Sequence, residues 1–300
     1  MRLSIAYVEL PLDLARTFDA VLTAGSLEAA ARDLHLTPSA VSQRLKALET
    51  RLGRVLLVRS RPVRPTEAGR VVARLARQLV TLEQDALTEL GLAENRAVTV
   101  PLAVNADSLA TWFLPALAPL APRGIAFDLY RDDQDFTAGL LESGTVTAAV
   151  TSQHRPVAGC TVRRLGAMRY LPAASPEFAA RWFAAGADAV AFSHAPVVDF
   201  DRRDTLQTRY LESVGADPGS PPRHRVPASS DFAAAVRHGF GWGLVPEFQA
   251  AGALAGGQLV GLGGEPVEVG LYWQRWNLRS TLLETIEEAV VTAARGVLRP

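Results

Sequence analysis

The chain has 300 residues, of which 48% are hydrophobic and 21% charged, and 31 basic residues balance 31 acidic ones. This length predicts two or three domains, and the composition is typical of a globular protein. The longest apolar run, residues 110–122, contains prolines and is too short to predict a membrane span. The N-terminus carries acids and lacks a secretory signal pattern, so we expect a cytoplasmic protein. One cysteine, Cys160, excludes an intrachain disulfide and a cysteine-based metal cluster.

The charge is unevenly distributed along the chain. Residues 32–64 contain eight basic and two acidic residues, whereas residues 96–300 contain eighteen basic and twenty acidic ones. A basic segment on a slightly acidic body predicts a polyanionic partner for that segment. A solvated basic surface would explain the charge alone equally well.

Two helices are predicted near the N-terminus. Residues 12–24 carry apolar side chains at the i, i+4, i+7 and i+8 spacing of a packed helix, and Gly25 favours a left-handed end. Ser26 is placed to cap a second, alanine-rich helix over residues 27–34.

The segment LTPSAVSQRLKALE, residues 36–49, predicts the third helix. Thr37 is a suitable cap, and Pro38 occupies the first helical position, where its missing N–H is harmless. We expect this helix to extend to about residue 52, with a buried face formed by Val41, Leu45, Leu48 and Leu52. Two short helices joined by a tight turn, behind a first helix, are the helix-turn-helix arrangement.

A hairpin and a long helix are predicted next. Two β-like runs around a basic loop at residues 54–65 predict a wing beside the third helix. Residues 66–92 predict a long helix with a coiled-coil seam, which favours a homodimer over packing against the chain's own body. The seam is formed by Val72, Leu75, Leu79, Leu82 and Ala86.

From residue 97 onward, predicted strands and helices alternate. The strands are expected at residues 97–104, 125–131, 145–151, 169–174, 195–199, 223–226, 242–245 and 267–273. Such alternation predicts mainly parallel sheets with helices on their faces, divided into two lobes. Ligands of open α/β sheets bind outside the carboxyl ends of the strands, which here means the cleft between the lobes.

Several motifs carry a resemblance to a known family. F-D-A-V-x-x-x-G-S-L-x-x-A-A (18–30), S-A-V-S (39–42), L-x-x-L-E-x-x-L-G (45–53) and L-L-V-R…P-T-E-A-G (56–69) resemble the N-terminal region of LysR-type transcriptional regulators. The body resembles the arginine- and lysine-responsive ArgP and LysG branch of that family. The stretches that carry this second resemblance are residues 104–119, 148–160, 195–204 and 271–276.

The resemblance implies an α+β multidomain fold. It places a winged helix-turn-helix DNA-binding domain at residues 1–65, a dimerisation helix at 66–92 and an effector domain at 93–300. The effector domain would have two periplasmic-binding-protein-like lobes, lobe I at about 97–166 and 267–300 and lobe II at about 167–266. The family usually forms homotetramers and binds promoter DNA, with RNA polymerase as a possible partner. This branch typically activates an exporter gene in response to lysine or arginine.

Eight polar residues of the head are candidate DNA contacts. In this motif the N-terminal part of the third helix enters the major groove, and hydroxyl and amide groups suit base edges. We therefore expect Ser39, Ser42 and Gln43 to contact bases. Phosphate contacts are expected from Arg44, Lys46, Arg59, Arg61 and Arg64. Many family members carry Gln where this chain has Pro38, so its operator sequence does not follow from the resemblance.

A basic amino acid needs both hydrogen-bond donors and carboxylates in the cleft. The segment Asn105-Ala106-Asp107-Ser108 follows a strand and opens a helix, where backbone N–H groups suit a ligand carboxylate. Buried carboxylates would select the cation over neutral amino acids. The candidate effector contacts are Asn105, Asp107, Ser108, Asp132, Asp133, Ser152, Gln153, Asp199, Asp201, Ser229, Ser230 and Asp231.

Two other classes of function remain as alternatives. One is an amino-acid-binding protein whose basic head is a protein-interaction module. The other is an α/β enzyme, but the sequence contains no G-x-S-x-G elbow, H-E-x-x-H pair or P-loop. We therefore expect neither catalysis nor a resident cofactor or metal.

Overall fold

The computed structural model of the protein describes residues 10–58, 60–92, 98–131 and 137–300. We call residues 10–65 the head and residues 98–300 the body. Three predicted contacts, Arg59 for DNA and Asp132 and Asp133 for the effector, lie outside the described residues.

The head contains the three predicted helices, α1 (Leu12–Ala24), α2 (Leu27–Asp33) and α3 (Pro38–Leu52). Their starts follow the predicted capping chemistry. Ser26 Oγ accepts a hydrogen bond from the Ala29 N–H, and Thr37 Oγ1 accepts one from the Ala40 N–H, each at 3.1 Å. Gly53, with φ of 63°, ends α3 in the left-handed conformation. The predicted helix-turn-helix is confirmed.

The apolar face of α3 is buried in the core of the head. Val41 and Leu48 are fully buried and Leu45 is nearly so, in a cluster with Phe18 and Val21 of α1. Burying side chains of this kind stabilises a fold by roughly 1.5–3 kcal/mol each. This packing fixes the rotation of α3 about its axis, so its opposite face points outward.

A short wing connects α3 to the next helix. Strands β1 (Leu57–Val58) and β2 (Arg64–Pro65) pair antiparallel. Glu49 Oε1 of α3 accepts a hydrogen bond from the Leu56 N–H at 2.8 Å, which holds the wing against α3.

Helix α4 (Glu67–Glu89) links the head to the body. Its first turns pack on the head, with Ala73 and Ala76 buried. Along the predicted seam, Leu75 and Leu82 remain 44% and 38% exposed, so the chain's own body does not cover them. Pairing of α4 with a second copy remains a prediction that this exposure favours.

The body is built on one mixed sheet with strand order β10-β6-β11-β5-β3-β4, in which β9 also pairs with β6. The strands are β3 (Val98–Val104), β4 (Ile125–Arg131), β5 (Ala148–Thr151), β6 (Cys160–Ala174), β9 (Gly243–Pro246), β10 (Val260–Gly261) and β11 (Val267–Trp276). β3 is parallel to β4 and β5, but β11 is antiparallel to both β5 and β6. The prediction of mainly parallel sheets is therefore wrong.

The long strands β6 and β11 explain this difference. Residues 160–170 of β6 pair with β11, which also pairs with β5, whereas residues 170–174 of β6 pair with β9 and β10. A second parallel pair, β7 (Val197–Asp199) and β8 (Arg223–Arg225), joins β9 through a bridge between Val197 and Trp242. We call the layer on β3, β4 and β5 lobe I and the layer on β7, β8 and β9 lobe II. Because β6 takes part in both layers, it connects the lobes directly.

Helices cover the sheet of the body. They are α5 (Ala106–Ser108), α6 (Leu114–Leu117), α7 (Thr137–Glu142), α8 (Pro176–Trp182), α9 (Ala189–His194), α10 (Leu206–Ser213), α11 (Ser229–Arg237), α12 (Glu247–Ala255) and α13 (Thr281–Val297). A π-helical turn (Leu109–Phe113) joins α5 to α6, and a 3-10 helix (Ala118–Arg123) follows α6. Within the described ranges, no helix combines the length and apolar character needed to span a bilayer.

Replacement of Gly69 by alanine should destabilise the head. An added Cβ would lie 2.0 Å from the backbone oxygen of Leu56, so the wing or α4 must shift. Overpacking of this kind costs about 1–3 kcal/mol. A matched control is Gly252→Ala in α12, where an added Cβ meets nothing within 4 Å. Denaturant unfolding followed by circular dichroism should show a lower midpoint for Gly69→Ala only; equal midpoints for the two variants would refute the close contact.

Candidate DNA interface and ligand cleft

The outward face of α3 carries four exposed polar side chains, Ser39, Ser42, Gln43 and Lys46. Their i, i+3, i+4 and i+7 spacing places them on one face of the helix. Ser39 lies in the first turn, where the helix dipole is positive and unpaired N–H groups favour phosphate, and the other three follow within the next two turns. The geometry suits a major groove, but the contact made by each side chain remains a prediction.

The predicted phosphate contacts differ from one another in exposure. Arg61 and Arg64 of the wing are exposed, as is Lys46. Arg44 is partly buried, and its Nη1 donates to Thr17 Oγ1 of α1 at 3.3 Å. The structure therefore places the Arg44 guanidinium against α1, and its phosphate contact remains a prediction.

A cleft between the lobes contains part of the predicted effector site. Lobe I contributes its wall at the start of α5, and lobe II contributes the loop before α10 together with α10 itself. The lining residues are Asn105, Ala106, Asp107, Tyr170, Phe200, Asp204, Leu206, Gln207, Phe232, Leu244 and Pro246. The space among them measures about 60 Å³, well below the roughly 300 Å³ or more of ordinary small-molecule pockets.

Asp107 connects the two lobes. Its carboxylate accepts a hydrogen bond from the Tyr170 hydroxyl at 2.7 Å and one from the Ser229 hydroxyl of lobe II at 2.6 Å. Gln249 Nε2 donates to Ser229 Oγ at 2.9 Å and so orients that hydroxyl. Burial raises the pKa of Asp107, and the bonds from Ser229 and Tyr170 lower it only in part. The carboxylate is thus held in place but incompletely compensated.

Two further oxygens in this cleft lack partners among the described residues. Asn105 Oδ1 and Gln207 Oε1 are buried without a hydrogen bond, and both side chains line the cavity beside Asp107. Because buried polar atoms are nearly always paired, such oxygens indicate a place for a donor-rich group. Together with Asp107 they form an acceptor-rich site suited to an ammonium or guanidinium ion.

Other predicted effector contacts of lobe II are engaged elsewhere. Arg223 Nη1 lies 2.9 Å from both carboxylate oxygens of Asp199, although burial still raises the pKa of that carboxyl more than Arg223 lowers it. Asp201 closes a turn by accepting from the Arg203 and Asp204 N–H groups. Neither carboxyl lines the cavity.

The remaining predicted contacts are spread around the cleft. Ser108 is buried outside the cavity lining, and Ser230 and Asp231 are exposed. Ser152 lines a neighbouring cavity beside α10, while the Gln153 carbonyl accepts from Gln274 Nε2 at 2.8 Å. Of the twelve predicted residues, the structure thus brings together Asn105, Asp107 and Ser229.

Sequence reasoning missed three polar residues that line the cleft, namely Tyr170, Asp204 and Gln207, and also Gln249, which contacts Ser229 from outside the cavity lining. Tyr170 lies inside a strand, and its role depends on where β6 passes between the lobes. Asp204 belongs to the segment 195–204 that carried the family resemblance, which was a usable signal. Gln207 and Gln249 stand near helix starts, where sequence alone gives no reason to prefer a ligand contact.

A winged helix-turn-helix head, a partly uncovered linker helix and a two-lobed body with a polar cleft define a ligand-responsive DNA-binding regulator. Residues 12–70 match the model of the bacterial regulatory helix-turn-helix protein, lysR family, and residues 93–295 match the LysR substrate binding domain. The chain belongs to the LysR family of transcriptional regulators, which are DNA-binding proteins rather than enzymes.

Similar proteins include regulators named LysG and ArgP. The lysine export transcriptional regulatory protein LysG of Corynebacterium efficiens is 46% identical over 285 residues, covering 93% of this chain and 96% of LysG. The crystal structure of ArgP from Mycobacterium tuberculosis has a TM-score of 0.88 at 42% identity, covering 97% and 99% of the two chains. Full-length LysG of Corynebacterium glutamicum with bound effector Arg has a TM-score of 0.78 at 39% identity, covering 97% and 100%.

The raised pKa of Asp107 predicts a pH-dependent contribution to stability. A carboxyl with a higher pKa in the folded than in the unfolded state stabilises the fold below the unfolded pKa, about 4. That contribution disappears as pH rises through the folded pKa. Asp107→Asn should therefore gain stability relative to the wild type as pH increases from about 4.

Urea unfolding across a pH series measures this difference. Glu265→Gln, which replaces an exposed carboxylate outside the predicted effector contacts, is the control for the loss of one acidic group. Parallel curves for the wild type and Asp107→Asn would contradict the raised pKa.

Proposed function

We propose that this regulator binds arginine or lysine in the cleft between its lobes and adjusts transcription of a gene such as an amino-acid exporter. The observation that carries the proposal is the Asp107 carboxylate, held between Tyr170 and Ser229 beside the unpaired oxygens of Asn105 and Gln207. The arginine bound to LysG of Corynebacterium glutamicum supports the same ligand chemistry.

The electrostatics of Asp107 favour a cation. Burial disfavours the charged form of the Asp107 carboxyl. A positively charged ligand would stabilise that form by supplying a compensating charge. We place the side-chain cation of the ligand, rather than its α-ammonium, at Asp107. In that orientation a neutral side chain of similar shape would leave the carboxylate uncompensated, which penalises its binding and favours a basic side chain.

Access to the site requires movement. A cavity of about 60 Å³ cannot hold an amino acid, and the Ser229–Asp107 bond closes it from the side of lobe II. We propose that residues 97–166 with 267–300 and residues 167–266 move as two lobes about β6, the strand that they share. The ligand shifts this equilibrium only by its different affinity for the two arrangements.

On the DNA side, Ser39, Ser42 and Gln43 would contact base edges. The exposed basic residues, Lys46, Arg61 and Arg64, would contact phosphates. The uncovered apolar face of α4, at Leu75 and Leu82, would pair with a second copy, and dimers would associate into a homotetramer on promoter DNA. RNA polymerase would be contacted by the assembled regulator in the cytoplasm.

A thermal-shift experiment tests the ligand assignment. Arginine and lysine are compared with citrulline and norleucine, which have similar length but no positive charge on the side chain. At a ligand concentration of 100 times Kd the folded state gains about 2.7 kcal/mol, which should raise the Tm by roughly 5 °C or more.

The expected shift occurs with the basic amino acids and disappears in Asp107→Asn, while Glu265→Gln, which removes an exposed carboxylate outside the predicted contacts, keeps it. An equal shift with citrulline, or a full arginine shift in Asp107→Asn, would refute the cation site.

A further inference from the structure

One side chain of helix α4, Arg77, contacts both the head and the body. Its Nε donates to Asp19 Oδ1 of α1 at 2.5 Å, and its Nη1 donates to the backbone oxygen of Gly144 in lobe I. The side chains of Arg77 and Asp19 are only 18% and 22% exposed, so their ion pair is screened less than a surface pair. A single guanidinium thus joins the linker, the head and the body.

Arg74, one turn earlier, contacts the body beside this point. Its Nη2 donates to the backbone oxygen of Ala158. An added Cβ at Gly144 would lie 2.7 Å from Arg74 Cα, and one at Gly159 would lie 2.7 Å from Arg74 Nη2. Two loops of lobe I, at residues 143–147 and 157–160, therefore meet α4 at close range and in one particular alignment.

The junction next to Arg77 is not a continuous packed interface. A cavity of about 390 Å³ lies between the head, α4 and lobe I, with Asp19, Arg77, Tyr130 and Thr147 among its lining residues. Directional hydrogen bonds from the two arginines, rather than apolar burial, therefore define the alignment at this point. Such bonds are sensitive to shifts of about 1 Å.

Both loops are connected to β11, the strand that pairs with β6. Residues 143–147 lead into β5, which also pairs with β11. Gln274, fully buried on β11, donates to the Gln153 and Arg155 carbonyls at 2.8 and 2.9 Å and accepts from the Val157 N–H at 2.9 Å. A shift of β11 against β6 during lobe rotation would therefore displace the segment that contacts Arg74.

We infer that Arg77 is a positioning residue that couples the lobe arrangement of the body to the orientation of the head. A ligand-driven change in lobe I moves the Gly144 carbonyl, and the guanidinium transmits that shift to α1 through Asp19. The identity of the ligand in this inference rests on the proposed function. The contacts of Arg77 with the head and the body do not depend on it.

The chain offers a matched control pair. Arg16 of α1 and Glu83 of α4 form another ion pair between the same two helices, and this pair includes no body residue. Glu83→Gln therefore weakens the contact between head and linker without changing the junction, whereas Arg77→Gln removes both bonds of the guanidinium. Arg77→Lys keeps the charge, but its single ammonium cannot reproduce the fork that reaches both partners.

The test uses the full-length protein and its promoter duplex. It measures the ratio of the Kd without arginine to the Kd with saturating arginine. Coupling residues typically change such ratios by about 2- to 30-fold. Arg77→Gln should reduce the ratio at least about threefold, and Arg77→Lys should not restore it. Arginine affinity, measured by thermal shift, should stay within about twofold of the wild type. Glu83→Gln should keep the wild-type ratio.

Two results would overturn the inference: a wild-type ratio in Arg77→Gln, or an equal loss in Glu83→Gln. If the wild-type protein shows no thermal shift with arginine or lysine, the proposed function fails and the junction is tested by hydrogen exchange. Arg77→Gln should then accelerate exchange of the Thr145 and Thr147 amides relative to Glu83→Gln. Equal exchange in the two variants would refute the coupling role.

Discussion

The orientation of α3 is the constraint on which the rest of the structure depends. Val41, Leu45 and Leu48 are buried against α1. Burial of this face determines which residues of α3 face away from the core. Ser42, Gln43 and Lys46 must consequently point outward. The wing, held to α3 by the bond from Leu56 to Glu49, adds exposed arginines next to this surface. A DNA-binding surface follows from the packing of a small apolar core.

The body depends on a different constraint, the sharing of long strands between two lobes. β6 pairs with β11 along one part of its length and with β9 and β10 along another. The cleft therefore receives residues from both lobes, and the Ser229–Asp107 bond crosses it. A ligand that competes for Asp107 acts on the relative position of the lobes. The same strands extend to the loops that meet α4, which gives the cleft a physical connection to the head.

Local sequence signals predicted the head almost completely. Caps such as Thr37 and ends such as Gly53 act within a few residues, so the start and end of α3 were visible in the sequence. The long strands of the body were harder. β6 was predicted at residues 169–174, where it pairs with β9 and β10, but it occupies Cys160–Ala174, because residues 160–170 also pair with β11. No single burial pattern covers such a strand.

The ligand cleft was only partly predictable for a related reason. Carboxylates near strand ends could be proposed, but their partners depend on the tertiary structure. Asp199 is bound to Arg223 and Asp201 closes a turn, whereas Asp107 meets Tyr170 and Ser229 from distant parts of the chain. Gln207 enters the cleft because α10 begins beside it. These pairings come from the topology of the sheet, which the alternation of strands and helices did not define.

The central claim is that the outward face of α3 contacts base edges. Its most direct test measures the binding of promoter DNA and of an unrelated duplex over a range of salt concentrations. Gln43→Ala should reduce the preference for the promoter by about fivefold or more and leave the salt dependence unchanged. Arg64→Ala should weaken both duplexes alike and lower the slope of log K against log salt by about one. Identical effects of the two variants on preference and slope, or binding that does not change with salt, would contradict the account.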